Sequence, residues 1–262
     1  METHMIFETH AHYDDDAFNE DREILLDSMN ENGIGYIVNA CASLESLKET
    51  EELTEKYPFV YGAFGIHPDD AEKMTEDTLQ EIRRLVRLPK AVAIGEIGLD
   101  YYWHKEEQEH AVQKKMFLAQ MEIAREEKMP FMIHSRDAAK DTLDIVKDCM
   151  SGGMYGGIIH CFSYGKEMAR EYLNMGLYLG IGGVVTFKNA KKLKEVVEYA
   201  PLEQLVLETD SPYLSPEPNR GKRNSSLNLP YVAEMLAELK GVSKEEVIAV
   251  TEENAKRLLF RK

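Results

Sequence analysis

Short apolar runs alternate with longer polar stretches along the whole chain. Eight runs recur, at 5–8, 36–41, 60–66, 91–97, 131–134, 157–160, 177–181 and 205–208. Several are unbroken Val, Ile, Leu and Phe rather than alternating, as in parallel strands covered on both faces. The stretches at 21–32, 44–56, 75–87, 106–128, 137–150, 166–174 and 189–199 have helical spacing. Many end in Gly or Pro, as at Asn32-Gly33, Leu88-Pro89 and Met175-Gly176. Two further helices are predicted at 229–240 and 243–261, the second opening on a capping pair, Ser243 and Glu246. Eight strand–helix units in this length predict an α/β fold, a single (β/α)8 barrel of the TIM type with its active site at the C-terminal ends of the strands. A doubly wound open sheet is the main rival. No Gly-x-Gly-x-x-Gly follows the first run, which argues against its dinucleotide-binding version. No domain boundary interrupts 1–262. The long irregular segment, 211–229, follows the eighth run, where barrels often carry a phosphate-binding loop.

Composition narrows the class. Hydrophobic residues make up 44% and charged residues 30%, as in a soluble globular protein. No apolar run approaches the roughly 20 residues that span a membrane. The start lacks a basic segment and a long apolar one, so no signal peptide is expected, and residues 1–4 read as a tail ahead of Met5. Three cysteines, Cys41, Cys149 and Cys161, leave an odd count and form no C-x-x-C, which fits a reducing cytoplasm. The net charge of −16 is wrong for coating a long polyanion, which rests on many Lys and Arg at phosphates. A strand end entering a metal-lined pocket is still allowed, since the ions offset local negative charge.

Candidate chemistry sits at the ends of the runs. His10 and His12 are two residues apart, and on a strand such positions share a face, where two imidazoles can grip one divalent metal. His67 follows the third run and Glu96 lies in the fourth. His134 and His160 end the fifth and sixth, and Asp210 follows the eighth. Taken singly, each has an ordinary reading: a satisfied core histidine, a hydrogen-bonded acid, a turn cap. In a barrel these ends converge, and His10, His12, His134 and His160 with Glu96 and Asp210 around one cavity suit two divalent ions better than one. The apolar flanks of Glu96 call for a partner, because a buried carboxylate is costly alone.

Thr9-His10-Ala11-His12, Gly65-Ile66-His67-Pro68, Gly95-Glu96-Ile97-Gly98-Leu99-Asp100-Tyr101-Tyr102, His134-Ser135-Arg136, His160-Cys161-Phe162-Ser163 and Glu208-Thr209-Asp210-Ser211-Pro212-Tyr213-Leu214 occur in this order. Together they resemble the TatD family of metal-dependent hydrolases, in the amidohydrolase superfamily of barrels. Arg220-Gly221-Lys222-Arg223-Asn224 and Thr251-Glu252-Glu253-Asn254-Ala255 extend the resemblance over essentially the whole chain. There are two departures: Glu8 stands where the family usually has Asp, and Ser225-Ser226 where it usually has an acidic or small residue and Pro.

The resemblance implies that His10, His12 and Asp210 hold one metal, that His134 and His160 hold the second, and that Glu96 bridges them. It implies a 3′→5′ DNA exonuclease, with Asp210 and Glu96 as its catalytic carboxylates. The expected substrate is a single-stranded or frayed DNA end, cut by a two-metal-activated water. His67, Arg136 and Arg220, with Lys222 as a further candidate, are expected at substrate phosphates. Zn, Mn or Ni suits four imidazoles better than Mg. No membrane association and no obligate protein partner is expected. The alternatives are a hydrolase of a small amide, lactone or ester on the same frame, and a non-catalytic metal-stabilised partner protein. The basic loop 220–223 in an acidic chain favours a phosphate-bearing substrate.

Overall fold

In the computed structural model, which describes residues 4–260, eight strands lie side by side in chain order, each parallel to the next. They are β1 (Ile6–Ala11), β2 (Ile34–Ala40), β3 (Val60–Ala63), β4 (Ala91–Asp100), β5 (Phe131–Arg136), β6 (Gly157–Ile159), β7 (Tyr178–Ile181) and β8 (Leu205–Leu207). Helices α1 (Arg22–Asp27), α2 (Leu44–Lys56), α3 (Glu76–Leu85), α4 (Glu107–Glu126), α5 (Ala139–Ser151), α6 (Lys166–Asn174) and α7 (Lys191–Tyr199) connect them, and α8 (Leu229–Lys240) and α9 (Lys244–Leu259) follow β8. The predicted barrel is the observed one. Local chemistry explains several boundaries. The Ser43 hydroxyl caps α2 by accepting the Ser46 N–H at 3.1 Å, and Gly241 ends α8 at φ +67°.

Buried side chains form two layers. Phe7, Val38, Ala63, Val92, Met132, Ile158, Tyr178 and Val206, from each of the eight strands, pack in one cluster with Ala255, Leu258 and Leu259 of α9. That cluster is the packed barrel interior, plugged from the N-terminal end by the last helix. The larger cluster lies between strands and outer helices. Two-sided burial explains the unbroken apolar strands.

Closure between β8 and β1 is lighter than the other seams. It rests on one parallel bridge, Ala11 with Ser211, the Asp210 N–H on the His10 carbonyl at 3.0 Å and the His12 N–H on the Ser211 carbonyl at 2.9 Å. Glu8 reinforces it from β1. Its carboxylate accepts the Thr209 N–H at 2.8 Å, the Thr209 hydroxyl at 2.7 Å, the Ser226 hydroxyl at 2.9 Å and the His10 N–H at 3.1 Å. The two departures from the family pattern, Glu8 and Ser226, therefore touch.

Some boundaries differ from expectation. The first helix stops at Asp27 rather than 32, and a 3-10 turn at Asn30–Asn32 leads into Gly33 at φ +81°. β3 ends at Ala63 rather than 66, because Gly65 passes so close to Gly95 that an added Cβ would meet its backbone at 2.9 Å. β4 continues past 97 to Asp100, pairing Asp100 with Arg136 of β5. This extended pair lifts both side chains to the barrel mouth. Of the expected tail, residues 1–3 lie outside the described residues, as do 261 and 262. His4 places Nδ1 2.8 Å from Glu252. Among the described residues, no helix is long and apolar enough to cross a membrane.

Glu8→Ala is expected to lower unfolding free energy by about 2–4 kcal/mol, since it strands two buried hydroxyls and two N–H groups. Ser225→Ala, whose side chain caps nothing, serves as the control, with a change within about 0.5 kcal/mol. Urea unfolding of the two variants reads the difference, and equal midpoints would remove Glu8 from the seam's energetics.

Candidate metal centre

The centre is built around Glu96, which β4 carries into the barrel mouth with 3% of its surface exposed. Its two oxygens face different histidines. Oε1 lies 2.6 Å from His160 Nε2 and 2.8 Å from His134 Nδ1. Oε2 lies 3.3 Å from His10 Nε2 and 3.6 Å from His12 Nε2. Within each pair the nitrogens converge, at 3.2 Å for His10 and His12 and 3.3 Å for His134 and His160. Two imidazole nitrogens on one tetrahedral cation stand roughly 3.3 Å apart, so the donor sets fit. Asp210 Oδ1 adds an oxygen 3.3 Å from His12 Nε2 and 3.8 Å from His10 Nε2. Four overlapping groups place donor atoms within 4.8 Å of one another: His10–His12–Glu96, His10–His160–Asp210, His67–Glu96–His134 and His67–Asp69–Asp100.

Neighbouring groups aim these rings. The Ala40 carbonyl lies 2.8 Å from His12 Nδ1, and since a carbonyl only accepts, Nδ1 carries a proton and Nε2 is the nitrogen aimed into the site. Asp100 Oδ2 holds His134 Nε2 at 3.2 Å, leaving Nδ1 for Glu96. Glu208, 3.8 Å from His160 Nδ1, accepts the Cys161 N–H at 2.6 Å and so ties down the turn that carries His160.

Charge follows from these contacts. Burial raises the Glu96 pKa, but His160, His10 and His67 outweigh it and hold the carboxyl well below its usual range. Burial likewise raises Asp210, and His12 and His160 overcome it. For His12, burial disfavours the cation, yet Asp210 and Glu96 lift the group to about 10. His134 is lifted to about 9 against burial by Asp100 and Glu96. His10 falls to about 4 because it is buried and beside His160, whose ring it stacks on at 3.9 Å.

Above the centre opens a cavity of about 870 Å³. The structure brings together all six residues read from the sequence as metal-type ligands. His67 reaches nearer the centre than a phosphate contact requires, its Nε2 3.8 Å from Glu96 Oε1. Arg136 lines the cavity with its guanidinium 4.0 Å over the Tyr102 ring. Arg220 does not line it, and lies instead 4.2 Å over the Phe187 ring and 4.0 Å from Glu217. Arg223, in the same basic loop, is taken up by Asp21 through bonds of 2.8 and 2.6 Å. Asp100 and Glu208 stood in the sequence motifs without a role. The signal for Asp100 was an acid ending an apolar strand three residues past its expected end.

A family model described as TatD related DNase matches residues 7–260. The chain is 44% identical over 254 residues to the metal-dependent hydrolase YabD of Bacillus subtilis, covering 97% of this chain and 98% of that one. It is 34% identical over 235 residues to the 3′-5′ ssDNA/RNA exonuclease TatD of Citrobacter rodentium, covering 86% and 87%. The crystal structure of YJJV, a TatD homologue from Escherichia coli, superposes with a TM-score of 0.90 over 98% of each chain at 27% identity.

Folding raises the His12 and His134 pKa values above the ordinary 6.5 to about 10 and about 9. In the metal-free protein the stability from these cations is full below pH 6.5 and drains as pH rises through 9 to 10. A bound cation needs the same lone pairs and must expel the protons. Zn²⁺ affinity is therefore expected to tighten at least about tenfold per pH unit between pH 7 and 9. Titration calorimetry in buffers of different ionisation enthalpy reads the released protons, and pH-independent affinity would contradict the charge assignment.

Proposed function

Since the chain belongs to the TatD-related DNase family and is a metal-dependent hydrolase, we propose that it hydrolyses phosphodiester bonds as a 3′→5′ exonuclease on single-stranded or frayed DNA ends. Arg136 carries this reading. It is the one Lys or Arg among the cavity-lining residues, and among the described residues its guanidinium has no ion-pair or hydrogen-bond partner. Stacking on Tyr102 leaves its N–H edge free for an anion. An uncharged amide or lactone has no group to pair with such a cation beside the centre. The name of the Citrobacter relative supports the same substrate class and polarity.

In this reading His10, His12 and Asp210 would hold one divalent ion, His134 and His160 would hold a second, and Glu96, which faces both histidine pairs, would serve both. The imidazole-rich set favours Zn, Mn or Ni. Bound there, the ions supply Lewis-acid polarisation of a phosphoryl oxygen and a water nucleophilic near neutral pH. Arg136 pairs with the phosphate, and His67 stands beside it at the cavity floor. Asp210, kept ionised by His12, accepts the proton of the attacking water. As the new P–O bond forms, the bond to the departing strand breaks and its oxygen takes a proton from solvent. Arg220, off the cavity wall, is left to phosphates beyond it. Three free thiols, Cys41, Cys149 and Cys161, support work in a reducing cytoplasm.

Glu96→Gln keeps the shape and removes the charge. It is expected to lose at least one metal and roughly 100-fold or more in turnover, with the barrel retained by circular dichroism. Full dual metal occupancy with normal turnover would sink the bridging role. Arg136→Ala is expected to raise KM about 10- to 100-fold, the size of a lost charged hydrogen bond. A closed circular single strand should resist cleavage where its linear form is degraded with Mn²⁺ or Zn²⁺. Efficient cutting of the circle would exclude an end-dependent enzyme.

A further inference from the structure

The cavity floor is polar, but its rim carries large apolar side chains that the hydrolytic reading does not use. Trp103 is 64% exposed, Tyr213 is 54% exposed and Leu214 is 38% exposed, and all three line the cavity. Single exposed apolar residues are ordinary on a protein surface. Three gathered at the mouth of one charged cavity are a patch, and patches mark binding sites.

The mounting of Trp103 is specific. Asp100 Oδ1 accepts the Tyr102 N–H at 2.8 Å and the Trp103 N–H at 3.0 Å, fixing the turn that presents the indole. The other oxygen of the same carboxylate orients His134 at the metal centre. The Tyr102 ring meets Trp103 edge-on at 4.7 Å. Arg136, over Tyr102, lies 5.6 Å from the indole. A free cation and an open aromatic face are thus neighbours on one wall, as phosphate and base are neighbours in a nucleotide.

We propose that Trp103 is the stacking platform for the nucleobase next to the phosphate bound at Arg136, and that it gives the enzyme its demand for an unpaired end. Every base has a π-face, so the platform is tolerant of sequence. A paired base is already stacked and must be freed before it reaches the indole, which costs a few kcal/mol. Asp100 makes the arrangement rigid, because one carboxylate sets both the turn carrying the platform and the histidine beneath it. The proposal rests on the exonuclease reading and adds the residue that recognises the strand end.

Trp103 is the sole tryptophan of the chain, so its emission reports directly on stacking. The test uses two single-stranded DNA octamers, one with an intact 3′-terminal nucleotide and one with an abasic 3′ end, mixed with the Mn²⁺-loaded full chain in stopped flow to read binding and in steady-state assays to read KM. The intact strand is expected to quench tryptophan emission on binding and the abasic strand to leave it unchanged. KM for the abasic strand should be about 5- to 100-fold higher. Trp103→Ala should raise KM for the intact strand to that of the abasic one, and Trp103→Phe should restore part of the difference. Equal KM values in the wild type, or a base preference that survives Trp103→Ala, would overturn the platform while leaving the exonuclease in place. Failure to cleave either strand would overturn the exonuclease reading itself, and the platform with it.

Discussion

A carboxylate shut inside a protein must have its charge met, or folding loses several kcal/mol. Glu96 is such a group, and most of the upper barrel can be understood as the means of meeting it. Five imidazoles do so: His10 and His12 from β1, His67 from the exit of β3, His134 from β5 and His160 from the exit of β6. No two neighbouring strands could supply this ring of donors. It needs a sheet rolled far enough to bring β1 within reach of β6 across the mouth, and the His10–His160 stack at 3.9 Å is the mark of that closure. Without metal, protons on His12 and His134 perform the neutralisation. With metal, cations would perform it instead, which is why proton and metal compete for one set of lone pairs.

The same burial acts on Glu8 and Glu208, with the opposite result. Burial pushes Glu8 to about 7 and Glu208 to about 8. Glu8 is met by hydroxyls and N–H groups, which do not carry full charge. Glu208 has His160 near it, but Asp210 and Glu8 oppose that help. Depth alone therefore does not decide whether a buried acid keeps its charge. Glu96 and Asp210, with imidazoles close at hand, stay charged and can share their charge with a cation. Glu8, two residues before His10, works as an acceptor that pins β1 to Thr209, two residues past the end of β8. The seam that closes the barrel and the strand that delivers the first two histidines are held by one side chain.

Strand ends were legible in the sequence because two-sided burial leaves unbroken apolar runs, and the polar residue that stops each run faces the mouth. That logic gave His10, His12, His134, His160 and Asp210 their common location, and Glu96 its need of partners. What it could not give is any pairing made across the fold. Arg223 reads as a free cation beside the metal-bearing end, and only the chain path reveals Asp21 waiting for it. Arg220 reads the same way and is carried off the cavity wall by its loop. Asp100 was hidden by a boundary: β4 runs three residues longer than its apolar content, because pairing with β5 extends it. The short β3 was overestimated for the converse reason, since Gly65 is needed for a close backbone approach to Gly95 rather than for strand pairing.

The cavity also bears on how so acidic a chain would handle the anionic substrate proposed for it. Asp14, Asp15 and Asp16, after β1, and Glu45 and Glu49, on α2, stand along its wall. Against them, among the lining residues, stands the Arg136 guanidinium. A strand laid through this cavity would bring its second and third phosphates near carboxylates, and each such approach is repulsive at the short range that salt does not screen. A strand that entered by its end would need to bring only one phosphate to that cation. Under the proposed exonuclease reading, the acidic wall would act by exclusion, making a short, terminal contact the favourable one. In that reading, binding lost through the missing phosphate contacts would have to be recovered by uncharged means, and the proposed flat aromatic surface at the rim would recover it without attracting the rest of the polyanion.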